Sequence, residues 1–119
     1  MYPAGREPVV LVKPSSFKCP VALTSRIMGG KWKAPLVWTL MRLGTQRFSD
    51  LRRALPPISD RILSLELKEL EGWGLIERTE FPVVPPRTEY NLTAFGKTLE
   101  PIMAAMASWG TEHRARFDE

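Results

Sequence analysis

Along most of the chain apolar residues recur every three or four positions, the period of amphipathic helices. Over 32–43, Trp32, Leu36, Val37, Leu40 and Leu43 share one stripe, with Pro35 near the first turn and Gly44 as terminator, so the stretch reads as a helix. Ahead of it, 20–28 begins with Pro20, whose fixed φ suits a first helical turn, and stops at Gly29-Gly30. Phe48, Leu51 and Leu55 mark a short helix over 48–55 that Pro56-Pro57 cannot continue, because proline lacks the N–H and clashes with the preceding turn. Ser59 suits the N-cap of a helix over 60–73, and Asp60 sits favourably at the positive end of its dipole. On that helix Leu63, Leu67 and Leu70 cluster on one side with Ile62 at the edge, whereas Arg61, Ser64, Leu65 and Lys68 cluster opposite.

The period then shortens to two. Residues 75–81 and 87–92 alternate as strands do, and the stiff, donor-poor Pro82-Val83-Val84-Pro85-Pro86 between them makes a hairpin tip that resists further pairing. Thr45-Gln46-Arg47 is too brief for more than a bridging strand. Thr93 caps a last helix over 94–116, which Pro101 should bend or divide near Leu99.

Two amphipathic helices, 48–55 and 60–73, joined by a turn of about four residues form a helix-turn-helix, with the second as reader and the hairpin as wing. The expected fold is α+β, mostly helical: a winged helix-turn-helix with a two-stranded wing and extra N- and C-terminal dimerisation helices. A small domain left with apolar stripes favours association. Val21 and Leu23 on the first helix, with Leu99, Ile102, Met103, Met106 and Trp109 on the last, are the expected dimer interface. The domain spans 19–119. Residues 1–18, with Pro3, Gly5, Pro8, Pro14 and the short Val9-Val10-Leu11-Val12 run, read as a flexible arm or an added edge strand, and Arg6 and Lys13 leave a minor-groove role open.

Length and charge narrow the function. A chain of 119 residues holds one domain, too small for a two-domain enzyme. Its net charge of +4 is uneven: 1–59 carry ten Lys/Arg against two acids, and 60–119 seven against eleven. A basic half suits a polyanion, since each cation placed on a phosphate releases counterions. The single cysteine, Cys19, rules out an internal disulfide framework and fits a reducing compartment. No apolar run approaches the ~20 residues that span a bilayer, and 1–13 lack a signal peptide's pattern, so the expected setting is the cytoplasm, without a membrane partner. His113 stands alone, and neither a lysine-ended glycine-rich phosphate loop nor a nucleophile elbow is present; the expectation is a protein that is no enzyme and holds no metal or cofactor.

The candidate chemistry is that of double-stranded DNA. Arg61 has the geometry to donate twice to a guanine, or to pair with Asp60 or Glu66. Ser64 and Leu65 are further base contacts, with Leu65 matching a thymine methyl, and Lys68 suits a phosphate. Ser59 serves as cap, or as cap and phosphate donor. Arg47, Arg52 and Arg53 around the first helix of the pair, and Arg78 and Arg87 on the wing, read as phosphate contacts or as ordinary surface cations. Cys19 is a thiolate candidate beside Lys18 at a helix N-terminus, or a small packing residue. Trp32, Trp38, Phe48, Trp73, Tyr90 and Trp109 read as core or interface, with a ligand pocket as the other reading.

Specific motifs add a resemblance. Cys19-Pro20-Val21, Gly29-Gly30-Lys31-Trp32, Arg47-Phe48-Ser49-Asp50-Leu51, Ile58-Ser59-Asp60-Arg61, Leu67-Lys68-Glu69-Leu70-Glu71, Gly74-Leu75-Ile76, Val84-Pro85-Pro86-Arg87-Thr88-Glu89-Tyr90 and Leu92-Thr93 follow one another as in the HxlR-type winged helix-turn-helix regulators of bacteria and archaea. The match covers about residues 19–110. It implies a homodimeric transcription factor on a pseudo-palindromic operator, with 59–73 in the major groove, the wing beside the backbone and the terminal helices joining two protomers. It also implies, for some members, sensing of electrophiles or oxidants at the position of Cys19; a small-molecule effector at the dimer interface is a further reading. The chain departs from the pattern in carrying Glu66 on the recognition helix, at its core edge, and in having no second cysteine. The alternative is a winged-helix protein–protein interaction module without specific DNA binding.

Overall fold

The period-3.6 segments are helical in the computed structural model, which describes residues 18–118. In chain order come α1 (Pro20–Ile27), α2 (Lys33–Leu43), β1 (Gln46–Arg47), α3 (Phe48–Ala54), α4 (Asp60–Gly72), β2 (Ile76–Phe81), β3 (Arg87–Leu92), α5 (Ala94–Lys97) and α6 (Glu100–His113), closed by a 3-10 turn over Arg114–Arg116. The arm expected over 1–18, with its edge-strand and minor-groove readings, lies outside the described residues except for Lys18. The expected helix over 94–116 is two: α5 stops at Lys97, and α6 restarts with Pro101 in its first turn, where the missing N–H breaks no bond.

The inward stripes meet in one core. Leu36, Val37 and Leu40 of α2, Leu51 of α3, and Leu63, Leu67 and Leu70 of α4 pack with Ile76, Tyr90 and Leu92 of the sheet. Each such aliphatic side chain contributes about 1.5–3 kcal/mol on leaving water. Met103 of α6, one of the positions expected at the dimer interface, joins them at 2% exposure and packs against the protomer's own core. The sheet has the order β1-β3-β2 and is antiparallel, with Gln46 opposite Tyr90, Ile76 opposite Leu92 and Phe81 opposite Arg87. The bridging strand thus lies on the free edge of β3, and the two-stranded wing extends a three-stranded sheet.

A tight joint connects the wing base to the C-terminal helices. Gly74, at φ 78°, supplies the left-handed residue that turns the chain from α4 into β2. The Thr93 hydroxyl donates to the Gly74 carbonyl at 2.6 Å and accepts from Gly96 N–H at 2.9 Å, while Thr93 N–H donates to the Leu75 carbonyl at 3.1 Å. Gly96 completes the joint by lacking a side chain: a Cβ there would lie 2.0 Å from the Leu75 carbonyl oxygen. Backbone, not a flexible side-chain tip, opposes it. Gly96→Ala is expected to lower stability by about 3 kcal/mol in urea unfolding, as overpacking against a rigid group does; an unchanged midpoint would mean that α5 does not sit on the wing base in this way.

Candidate nucleic-acid interface

Three contacts set α4 in place. Its hydrophobic face, Leu63, Leu67 and Leu70, is fully buried. At its start the Ser59 hydroxyl accepts from Ile62 N–H at 3.1 Å, and buried Ile58 donates its N–H to the Leu55 carbonyl at 2.9 Å, anchoring the turn. Arg52 of α3 donates to both carboxylate oxygens of Asp60, at 2.9 and 3.0 Å, so a charge-assisted bond ties the two helices across that turn.

A further contact on α4 was not legible in the sequence. Lys33, in the first turn of α2, is buried, and its ammonium lies 2.8 Å from Glu66 and 2.7 Å from Glu69, which are one turn apart on α4. Burial alone pulls the Lys33 pKa down, but hydrogen bonds and charge from Glu66 and Glu69 outweigh it, and the net shift is upward from 10.5. Glu66, which would repel phosphate if it faced outward, is held inward and paired. A long-range ion pair leaves no periodic mark in a sequence.

With those groups turned in, the opposite face of α4 presents exposed Arg61 and Lys68, half-buried Ser64 and Leu65 at 43% exposure. The partners that sequence analysis offered Arg61 are engaged elsewhere, Asp60 by Arg52 and Glu66 by Lys33. Neither Arg61 nor Lys68 has an ion pair among the described residues. The other arginines differ. Arg53 pairs with Asp50 at 2.6 Å, Arg78 with Glu80, and Arg87 with Glu89 at 3.1 Å while lying 4.4 Å above the Phe81 ring. The strand pairs had a sequence signal, since residues two apart on a strand share a face. Arg47 is exposed, and its backbone N–H donates to Asp50 at 3.0 Å.

Away from this face, α1 and α6 form an apolar groove whose lining includes Val21, Met28, Ala34, Ile102, Met103 and Met106. Val21 is 72% exposed, and Trp109, farther along α6, is 59% exposed with its ring 4.6 Å from that of His113. Leu23 and Leu99 are half-buried and do not line the groove; Leu99 packs on the core. Cys19 is exposed at the N-cap position of α1. Trp32, Trp38, Phe48 and Trp73 pack on the core.

Known proteins are similar to this chain in sequence and in fold. The family model described as HxlR-like helix-turn-helix matches residues 27–118. YdeP of Bacillus subtilis, an uncharacterised HTH-type transcriptional regulator, is 46% identical over 101 residues, spanning 85% of this chain and 78% of its own. Among solved structures, the redox regulator HypR in its reduced form superposes with a TM-score of 0.77 at 45% identity, covering 81% of this chain and 94% of that one. The reduced form of the transcriptional regulator YodB from Bacillus subtilis gives 0.69 at 30% identity, covering 86% and all of that chain, 100%.

Replacing Lys33 by Met leaves two carboxylates together without their cation, and an expected loss of about 2 kcal/mol follows, less than for a fully buried pair because both carboxylates keep some water. The folded-state pKa of Lys33 is raised, so its contribution is fully present below 10.5 and is lost as pH rises through the folded value. Urea unfolding of wild type and Lys33→Met should therefore show a constant gap from neutrality to moderately alkaline pH that closes at higher pH; equal stability at neutral pH would refute the clamp.

Proposed function

The chain belongs to the HxlR-like helix-turn-helix family and is a transcriptional regulator of helix-turn-helix type, and from that premise we propose that it binds a pseudo-palindromic operator in double-stranded DNA, in the cytoplasm, as a two-fold homodimer. The observation that carries this reading is the outward face of α4, where Arg61 and Lys68 stand unpaired around Ser64 and Leu65 while the carboxylates at 60, 66 and 69 are held by Arg52 and Lys33. In the major groove Arg61 faces a guanine edge, Leu65 a thymine methyl, and Lys68 a phosphate. Ser59, at the N-terminus of α4, adds a donor for the adjoining backbone. Arg47, Arg52, Arg53, Arg78 and Arg87 flank this face and supply phosphate contacts to the extent that a phosphate replaces their carboxylate partners.

The groove between α1 and α6 gives the dimer its surface, with Val21, Ile102, Met103, Met106 and Trp109 as the apolar contacts and half-buried Leu23 and Leu99 on the same segments of the chain. Two-fold pairing sets the two α4 helices on half-sites about one or two helical turns apart. Cys19, exposed beside this groove, is the proposed thiol sensor, a reading favoured by the likeness to HypR, itself named a redox regulator. With one cysteine per chain, an oxidant taking two electrons and two protons from a Cys19 pair would join two protomers through an S–S bond, and an electrophile would add to the sulfur of one. None of the described helices is long and apolar enough to cross a membrane.

Binding of purified protein to its own upstream DNA, against scrambled DNA, tests the reading. Arg61→Ala should erase about 1–3 kcal/mol of discrimination at one base pair per half-site. Lys68→Ala should weaken all sequences alike and lower the salt slope by about one. A footprint unaffected by either would overturn the placement of α4. Alkylation of Cys19 should release the operator, and Cys19→Ser should remain bound under the same treatment; release of both would exclude the thiol.

A further inference from the structure

Between α4 and the wing runs a cleft whose lining includes Ser64, Lys68 and Glu71 from α4 and Arg78, Glu80 and Tyr90 from the sheet. Strand geometry brings the last three together. Arg78 and Glu80, two apart on β2, share a face, and the antiparallel register sets Tyr90 directly opposite Arg78. Tyr90 is 7% exposed and packs with the core, and the same side chain lines the cleft. The Arg78 guanidinium donates toward that hydroxyl and pairs with the Glu80 carboxylate, which is mostly exposed and has Arg78 as its one ion-pair partner among the described residues. Burial raises the Tyr90 pKa, against the opposing pull of Arg78, so the group stays a donor throughout the physiological range. No described residue accepts its proton.

We propose that this cleft is a latched seat for one DNA backbone phosphate: Tyr90 positions Arg78 toward the recognition helix, and Glu80 occupies the seat until a phosphodiester displaces it. The inference rests on the DNA-binding reading above and adds to it two residues, Tyr90 and Glu80. Phosphate oxygens only accept hydrogen bonds, and the cleft offers Ser64, Lys68, Arg78 and Tyr90 as donors. The exchange also conserves charge. In the free protein Lys68 and Arg78 face Glu71 and Glu80, and a singly charged phosphodiester in place of the Glu80 carboxylate leaves that balance unchanged. Glu80, exposed at the rim and held through one arginine, is the member able to swing out.

The test uses the full chain and operator DNA in titrations at several salt concentrations. Glu80→Gln should bind about three-fold tighter near 150 mM salt, with a salt slope steeper by up to about 0.9, because Arg78 is then free to displace counterions. Tyr90→Phe keeps the buried ring and should weaken binding about five-fold, but should have little effect when Arg78 is already Ala. A role in packing alone predicts neither the tightening nor that non-additivity. Unchanged or weaker binding by Glu80→Gln, or an equal Tyr90→Phe penalty with and without Arg78, overturns the seat while leaving the regulator intact. A wild-type protein that binds no DNA overturns both.

Discussion

The Lys33 ammonium, held by two carboxylates one turn apart on α4, is the constraint from which the outward face of that helix follows. Leucine faces tolerate small rotations, because dispersion and water exclusion are not directional. A buried charge is not so forgiving: it requires its partners at hydrogen-bond distance, and Glu66 and Glu69 meet that requirement together at one rotation of the helix. Fixing those acids inward fixes Arg61 and Lys68 outward. The same contact neutralises the carboxylate that would most oppose a polyanion.

Net charge along the chain is therefore a poor guide to the binding surface. Part of the basic excess in 1–59 is engaged within the fold, since Lys33, Arg52 and Arg53 each meet a carboxylate. The two cations that stand unpaired on α4 come from the half whose net charge is negative. What matters is which charges the fold leaves without an internal partner, and that is a property of tertiary structure.

Periodicity showed the helices, the turn between α3 and α4, the wing strands and the break ahead of Pro101, because each rests on neighbours within a few residues. It did not separate the positions of the last stripe, because three- and four-residue spacing does not say how they divide between a protomer's own core and an outer surface. Positions 99, 102, 103 and 106 lie on one stripe, yet 103 is buried and 106 exposed. The Lys33 clamp was invisible for a different reason: its partners lie 33 and 36 residues away. The pairs Arg78–Glu80 and Arg87–Glu89 fall between these cases, readable once the segments are recognised as strands.

The joint at Gly96 has a mechanical meaning. With the α5 backbone pressed against the Leu75 carbonyl and Thr93 bonded on both sides, no compliant linker separates the wing base from the helices that follow. Only Thr93 stands between the end of β3 and the start of α5, so wing base and α5 meet as one unit rather than across a loop.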